Sequence, residues 1–409
     1  MRNRNVLPLL VIAGALLVSI FAATPRSLAI SEVTATPTPG AAPTLTPVPP
    51  QPSPTPLQIL PTTVPTQVPG STNVDDLIDQ AVQAFQFGQF NQAIDLLNQA
   101  LEIDPRNAEA LAVRGIVYSQ QGDFNRGVDD LTRAIEIVPY MWTYYTLRGD
   151  AFVALRELGQ AMQDYDQSIL LNPRYERAYR SRSALLFAQG DSTNATIDDL
   201  IAQGLASSAL QNNSQSVEFF SAAIETRGGS TASYANAYYN RGLARYLSGD
   251  VAGAIPDYTS SLEFMSNMHD SYLARGIARR ETGDLLGAGE DFMRRIEILE
   301  ANTTNDSISA NTALDVAMAY GNVYRLTFSG LGGESVTLSA RDLDGVSVDP
   351  LIVLLGPDGA VLAGDDDFGG ELDSLIADFR LPRDGTYTLV VSHANGGYDG
   401  TVRVLVEKR

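Results

Sequence analysis

Acidic side chains are the residues best suited to do chemistry in this chain of 409 residues. Aspartates recur beside glycines in the C-terminal part of the chain, in segments that read as loops. Calcium takes about six to eight oxygen ligands from carboxylates and loop carbonyls, and adjacent carboxylates repel unless a cation lies between them. The candidate calcium ligands are Asp349, Asp365, Asp366, Asp367 and Asp373. The alternative is that these Asp and Gly residues only form turns.

The sequence contains none of the common catalytic motifs. Its two histidines, His269 and His393, stand in no catalytic pattern, and no zinc-protease, serine-hydrolase, P-loop or dinucleotide motif is present. The glycines at 330–333 lie between predicted strands rather than before a helix, so they form no phosphate cradle. We therefore predict that the protein is not an enzyme and requires no cofactor, with Ca²⁺ as the one candidate ligand.

Composition narrows the class of partner. The hydrophobic fraction of 44% and the charged fraction of 19% are ordinary for soluble globular protein. The net charge of −20 argues against nucleic acid, because phosphate binding needs clustered Lys and Arg, and it favours cationic partners or divalent cations. The absence of cysteine excludes disulfides and thiolate catalysis.

The elements that must position these residues begin with a 34-residue repeat. Residues 108–139 recur at 142–173, the second half of the unit appears within 75–105, and two further copies occupy 235–264 and 269–298. Position 8 is glycine and position 20 is alanine in most copies, and proline closes the early units, which predicts two closely crossing helices per unit. This pattern resembles the tetratricopeptide repeat, which implies an α-α superhelical solenoid over residues 74–302.

Two details refine the solenoid. Arginine at position 7 and aspartate at position 23 occur together in five units, which predicts an Arg–Asp contact between the two helices of each unit. The alternative is two separately solvated positions. Residues 176–234 break the period: the fourth unit lacks its proline, and 214–227 reads as a second helix whose first helix is compressed or merged.

The resemblance also implies a binding face, formed by the first helix of each unit. Carried onto this sequence, it includes Arg177, Arg180 and Phe187 in the fourth unit, and Tyr239, Leu243 and Tyr246 in a later one. Aromatic and Arg side chains are common anchors of protein interfaces. The alternative is that Phe187 and Leu243 pack against neighbouring helices. The peptide-carboxylate clamp known in this family is not expected, because Ile78 and Val82 stand where it needs polar residues.

The N-terminus reads as an export segment followed by a spacer. Residues 1–29 carry Arg2 and Arg4 before an apolar run at 6–23, which predicts a signal peptide, either cleaved or retained as a membrane anchor. Residues 30–73 form a linker whose central part, 34–70, holds 12 of the 21 prolines, nine threonines and no charge. That composition predicts a disordered Thr/Pro stalk or a simple spacer.

The C-terminal part, 303–409, has the signature of β-structure. Short runs at 322–328, 335–339, 351–355, 374–380, 387–391 and 401–406 are rich in β-branched and aromatic residues and are separated by turn signals. They predict an antiparallel, jelly-roll-like β-sandwich. The order of these segments resembles the bacterial pre-peptidase C-terminal domain, which implies a secreted protein.

The sequence as a whole predicts an exported, cell-surface scaffold or adhesion module that grips a peptide or partner protein in the groove of its repeats. Two alternatives remain open. The β-domain binds matrix or polysaccharide with Ca²⁺ while the repeats act as a spacer, or the protein is an accessory subunit of a secreted hydrolase. The oligomeric state is not predicted.

Overall fold

The computed structural model describes residues 73–343, 348–366, 373–394 and 400–408, and in these ranges thirteen helices precede nine strands. The predicted order of helical solenoid and β-sandwich is confirmed. The helices are α1 (Val74–Gln86), α2 (Phe90–Ile103), α3 (Ala108–Gln120), α4 (Phe124–Ile137), α5 (Trp142–Ala154), α6 (Leu158–Leu171), α7 (Glu176–Ala188), α8 (Ser192–Ala209), α9 (Asn213–Glu225), α10 (Thr231–Leu247), α11 (Val251–Phe264), α12 (His269–Glu281) and α13 (Leu285–Leu299).

A Gly-Asp pair builds most turns between the two helices of a unit. At Gly122 the backbone has a φ of 85°, in the left-handed region that glycine adopts without strain, so the first helix ends there. The next residue, Asp123, accepts a hydrogen bond from the amide of Arg126 and caps the second helix. Asp191, Asp250 and Asp284 cap their helices in the same way.

Glycine at position 8 lets the two helices touch. A Cβ at Gly149 would lie 2.8 Å from Tyr165 Cε1, sixteen residues later, so only glycine fits beneath the ring. The same spacing joins Gly204 to Phe220, which places α8 against α9 as a first helix, although α8 is also the second helix of the fourth unit. Of the two alternatives that the sequence left open for this first helix, compressed or merged, the structure shows the merged one, because α8 serves two units.

The predicted Arg–Asp contacts are confirmed, and they form a ladder along the solenoid. Arg182 is representative: its Nε and Nη2 donate to the two oxygens of Asp198 at 2.7 and 2.8 Å. Its Nη1 donates to Asp166 of the preceding unit at 2.7 Å, so one guanidinium ties two units together. The intra-unit pairs are Arg114–Asp130, Arg148–Asp164, Arg182–Asp198, Arg241–Asp257 and Arg275–Asp291. The inter-unit acceptors are Asn98, Thr132, Asp166, Ser221 and Thr259.

The β-domain is a sandwich of two sheets. Its strands are β1 (Asn302–Ser307), β2 (Leu314–Met318), β3 (Asn322–Gly330), β4 (Ser335–Asp342), β5 (Pro350–Leu355), β6 (Val361–Asp366), β7 (Asp373–Arg380), β8 (Gly385–His393) and β9 (Gly400–Lys408). The sheets have the orders β1-β3-β8-β5-β6 and β2-β9-β4-β7. All pairings are antiparallel except that β1 runs parallel to β3. The sequence did not predict β1, because its residues are all polar.

The five-stranded sheet is covered on both faces. One face packs against the other sheet, and the opposite face packs Leu351 and Val353 against Ile277 and Phe292 of the last helical unit. A Cβ at Gly364 would lie 2.7 Å from the Cα of Gly289, so β6 and α13 meet almost backbone to backbone. Terminal repeats of a solenoid need a cover for their apolar face, and here the β-domain supplies it.

The N-terminal segments predicted to direct export and to form a stalk lie outside the described residues. Among the helices from α1 to α13, none is both long enough and apolar enough to cross a bilayer.

Candidate functional site

The turns that follow successive units reach different parts of the molecule. Arg106, Tyr140 and Arg174 occupy the same repeat position, 34 residues apart. The ring of Tyr140 stacks on Tyr320 of the β-domain, with centroids 4.6 Å apart and planes inclined by 24°. The chain therefore curves so far that the turn after the second unit touches the β-domain. Arg106 is exposed, whereas Arg174 reaches a cavity between later helices.

This cavity has a volume of about 200 Å³ and lies between the α6–α7 turn and helices α10, α11 and α12. Most of its wall is aromatic or aliphatic. The lining includes Tyr239, Leu243 and Tyr246 from α10, Tyr258 from α11, and Leu273 and Ile277 from α12. A concave, largely apolar site with a few polar groups is typical of ligand and anchor-residue sites.

The turn over the cavity is held in place by buried polar contacts. The carbonyl of Pro173 accepts hydrogen bonds from Asn240 Nδ2 at 2.9 Å and from the Tyr179 hydroxyl at 3.0 Å. The amide of Arg174 donates to Asn172 Oδ1 at 3.0 Å, which closes an Asx turn. The backbone that carries Arg174 is therefore fixed, while its side chain is exposed.

Two oppositely charged groups face the cavity. Asp270 opens α12, and its Oδ1 lies 3.0 Å from His269 Nδ1. Burial alone would raise the pKa of Asp270, but the charges of His269, Arg295 and Arg174 hold it below its usual value, so this carboxylate is ionised. Arg174 lies at the opposite wall. Burial also raises the pKa of Tyr239, so its hydroxyl stays protonated.

The structure brings three of the six predicted groove residues together and separates the others. Tyr239, Leu243 and Tyr246 line the cavity. Arg177 pairs with Asp150 at 2.7 Å, with both side chains largely buried. Arg180 pairs with Glu176 at 2.6 Å on the surface, and Phe187 is 73% exposed. Phe187 is therefore not buried between helices, as the alternative interpretation expected it to be.

The candidate calcium ligands are also divided. Asp349, Asp365 and Asp366 are buried at the end of the five-stranded sheet, and we call these three residues the acidic edge. Asp373 pairs with Arg341 at 2.8 Å in the other sheet, and Asp367 lies outside the described residues. No three His, Cys, Asp or Glu side chains in the described part of the chain are placed to hold a metal ion.

Two arginines of the last unit approach the acidic edge. Arg280 forms an ion pair with Asp365. The Oδ2 atom of Asp365 also accepts a hydrogen bond from the amide of Leu375 at 2.7 Å. Asp366 is fully buried, and neither of its carboxylate oxygens accepts a hydrogen bond from a described group. Burial, with the charge of Asp349 added, raises the pKa of Asp366 well above its ordinary value, and the second arginine, Arg295, opposes that rise by its charge.

Arg174, Asp270, Tyr258, Leu273 and Ile277 were missed by the sequence interpretation, which considered only a few first-helix positions of two units. Asp270 and Leu273 do lie on a first helix, so their unit could have been included. Arg174 lies in a turn, and its contribution depends on the curvature of the solenoid, which the repeat pattern does not specify.

Comparisons with known proteins support the assignment of the helical part. Residues 84–122 match a family model described as TPR repeat, and residues 143–175 match one described as tetratricopeptide repeat. The chain therefore carries tetratricopeptide repeats, and no catalytic family is indicated. The matched residues lie in the solenoid, and the resemblance of the C-terminal domain to the pre-peptidase C-terminal domain stays a prediction. No curated protein matches the chain.

Several solved structures are similar to the repeats. The crystal structure of MamA protein is 20% identical, with 48% of this chain and 94% of that chain covered and a TM-score of 0.28. A tetratricopeptide repeat protein from Parabacteroides merdae is 18% identical, with coverage of 55% and 93% and a TM-score of 0.29. The first TPR of Spaghetti (RPAP3), bound to an HSP90 peptide, is 24% identical, with coverage of 30% and 96% and a TM-score of 0.29.

Proposed function

We propose that this protein is a non-catalytic scaffold that binds a partner protein or peptide through its repeats, with the cavity as the anchor point. The observation that carries the proposal is the convergence of Tyr239, Leu243 and Tyr246 with two residues of α12, Leu273 and Ile277, around one cavity. An aromatic or aliphatic side chain of the partner would fill it, since buried apolar anchors dominate the energy of protein interfaces.

We propose further that the scaffold is exported and acts at the cell surface. The support is the sequence of residues 1–73: a basic start, an apolar run and an uncharged Thr/Pro segment. Adhesion, and the resemblance of the β-domain to a module of secreted proteins, belong to this same proposal. Fractionation of cells into envelope, medium and cytoplasm with an antibody against the chain tests it, and recovery in the cytoplasm alone would reject it.

The anchor proposal is tested by chemical cross-linking and pull-down with the full chain. The two parts cannot be tested separately, because cutting near residue 302 would expose the core shared by α13 and β5. Tyr246→Ala should abolish capture of a partner that the unchanged protein captures. Tyr239 is unsuitable for this test because it is only 7% exposed and packs on Tyr258, so its loss would create a cavity in the core.

Tyr238→Ala is the matched control, since it removes the same atoms from the same helix but from a ring that stacks on Phe264 outside the cavity. A partner captured equally by the Tyr246 variant would show that the cavity is not the anchor point. Capture of no specific partner by the unchanged chain from envelope and medium would contradict the scaffold function itself.

A second candidate function is cation binding at Asp366, whose two carboxylate oxygens accept no hydrogen bond from a described group. A calcium ion would bind these oxygens and balance the negative charge of the Asp366 carboxylate. Calcium should then raise the melting temperature of the unchanged protein and leave that of Asp366→Asn unchanged. Equal melting temperatures with calcium and with a chelator would reject this candidate.

A further inference from the structure

The two charged groups at the cavity, Arg174 and Asp270, do not pair with each other. Both residues line the same cavity, and the charge of Arg174 acts on Asp270 through space. Among the described side chains, however, no ion pair joins them. The only partner of the Asp270 side chain in that part of the chain is His269, on its own helix. The Arg174 guanidinium has no hydrogen-bonded or ion-paired partner there.

The spacing of these charges is built into the fold rather than left to flexible side chains alone. Asp270 lies in the first turn of α12, and Arg174 follows a proline whose carbonyl is held by two buried donors. The α6–α7 turn and α12 are thereby joined through α10, which carries Asn240. A ligand entering the cavity meets a carboxylate on a helix and an arginine on a fixed backbone, so the ordering on binding is confined to side chains.

The size of the cavity limits the ligand. Sites for drug-sized ligands usually have volumes of about 300–1,000 Å³. The present cavity, at about 200 Å³, is smaller and suits a molecule of the size of one amino acid. Its apolar wall is formed by Leu243, Leu273, Ile277 and tyrosine rings, which would enclose an aliphatic or aromatic side chain.

We propose that this cavity binds a free α-amino acid with a large apolar side chain. The ligand carboxylate pairs with the Arg174 guanidinium, the ligand ammonium pairs with the Asp270 carboxylate, and the side chain occupies the apolar wall. A ligand that carries only one of the two charges would desolvate the opposite protein group without pairing it, and sites of this kind reject such analogues strongly. This inference stands apart from partner binding and does not rest on it.

Nearby charges are consistent with a net-neutral ligand. Arg295 adds positive charge near Asp270, whereas Glu281 accepts a hydrogen bond from the hydroxyl of Tyr246, which lines the cavity, and adds negative charge. A simple cation would be opposed by the two arginines, and a simple anion by Asp270 and Glu281. A zwitterion meets both sets of charges with its own opposite ends.

The proposal is tested by isothermal titration calorimetry on the full chain with L-phenylalanine and L-leucine. We expect a dissociation constant below about 1 mM for at least one of them. Three analogues each remove one recognised feature: phenylalanine amide lacks the carboxylate, 3-phenylpropionate lacks the ammonium, and glycine lacks the side chain. Each should bind about tenfold more weakly or worse, because a charged hydrogen-bonded contact is lost or the apolar wall is left unfilled.

Variants connect the binding to the two charges. Arg174→Gln should weaken phenylalanine about tenfold or more and should make the acid and its amide bind equally, because the group that tells them apart is gone. Asp270→Asn should also weaken phenylalanine about tenfold or more, and it should make phenylalanine and 3-phenylpropionate bind equally, because the group that recognises the ammonium is gone. Arg106→Gln is the matched control: Arg106 holds the equivalent turn position, with the same Asx turn, and is exposed away from the cavity lining. It should leave binding unchanged.

Three results would overturn the proposal: no binding of either amino acid at about 10 times that concentration limit, equal binding of phenylalanine and its amide by the unchanged protein, or unchanged affinity in Arg174→Gln. The second result would mean that the cavity reads the N-terminus of a peptide instead. Because the probes are small molecules, each of these outcomes is independent of whether a partner protein is captured in the cross-linking experiment.

Discussion

The Arg–Asp ladder and the acidic edge are built from the same two residue types and reach opposite outcomes. In the ladder, Arg182 donates two hydrogen bonds to Asp198 and a third to Asp166, so the charge of the buried Asp198 is matched. At the acidic edge, Asp366 is as deeply buried as Asp198, yet no described donor reaches its oxygens. The ladder therefore stabilises the fold through paired groups, whereas Asp366 at the acidic edge is a buried carboxyl group that no described donor satisfies.

The electrostatics of the two regions follow from this difference. Burial alone would lower the pKa of Arg182, but the carboxylates of Asp198 and Asp166 raise it, so the guanidinium stays charged at any pH of interest. For Asp366, burial and the like charge of Asp349 act in the same direction and raise its pKa. Burial raises the pKa of Asp198 as well, but there the charge of Arg182 and its two hydrogen bonds oppose the rise, whereas no described donor bonds to the oxygens of Asp366.

The largest expected effect comes from breaking the ladder at its most buried rung. Arg182→Met should lower the free energy of unfolding by about 3–5 kcal/mol, because it leaves the fully buried Asp198 uncompensated. Urea denaturation followed by circular dichroism measures the change. Arg126→Met, which removes a surface pair with Asp123, should cost less than about 1 kcal/mol. Equal losses in the two variants would contradict the interpretation of the ladder.

The acidic edge should respond with the opposite sign. In the presence of a chelator at pH 7, Asp366→Asn should raise the free energy of unfolding by about 1–3 kcal/mol, because it removes a buried, unsatisfied carboxylate. Asp373→Asn, which breaks the pair with Arg341, is the matched control and should not stabilise the protein. A loss of stability in Asp366→Asn would show that the carboxylate has a favourable partner.

The pH dependence of the same variant follows from the raised pKa. The folded state binds the proton of Asp366 more tightly than the unfolded state, whose carboxyl titrates near 4, so this residue stabilises the fold fully only below about pH 4. That contribution is lost as the pH rises from there through the folded pKa. The unchanged protein should therefore lose more stability between pH 4 and 7 than Asp366→Asn does, as measured by denaturation at several pH values with a chelator.

The ladder was predictable from sequence and the acidic edge was not, for a physical reason. A repeat shows each pair several times, and the joint absence of Arg and Asp from the first unit links positions 7 and 23 by sequence alone. The inter-unit acceptors, such as Thr132, vary in type and carry no such signal. The acidic edge occurs once, and its burial depends on α13 covering the sheet, which is contact between distant parts of the chain.

One signal of that covering is present in the sequence. The run 351–355 is apolar at every position, whereas a strand with one wet face alternates, so continuous hydrophobicity indicates a strand buried on both faces. The sequence does not indicate, however, that the last helical unit is what covers the second face of this strand. The cavity shows the same limit: its α10 residues followed from the repeat register, but Arg174 joins them only because the solenoid curves.

A conservative substitution in the ladder distinguishes the paired hydrogen bonds of arginine from its positive charge. Arg148→Lys keeps the positive charge beside Asp164 but cannot donate the two parallel hydrogen bonds, which span 2.9 and 2.8 Å in the structure. We expect a loss of about 1–2 kcal/mol in urea denaturation. Arg133→Lys, at an exposed side chain, should be neutral. No loss in Arg148→Lys would mean that the charge alone accounts for the contact.

The smallest expected effect concerns the third hydrogen bond of each ladder arginine, which its Nη1 donates to the preceding unit. Arg148 Nη1 donates to Thr132 Oγ1 at 3.1 Å, and Thr132→Val removes this acceptor while keeping nearly the same shape. The expected loss is about 1 kcal/mol, and Thr196→Val, whose hydroxyl bonds only within its own helix, should cost less. In the double variant with Arg148→Lys, the losses should fall short of their sum, because both changes remove one contact. Strict additivity would mean that the third hydrogen bond does not couple the units, and the ladder would then stabilise each unit separately rather than the solenoid as a whole.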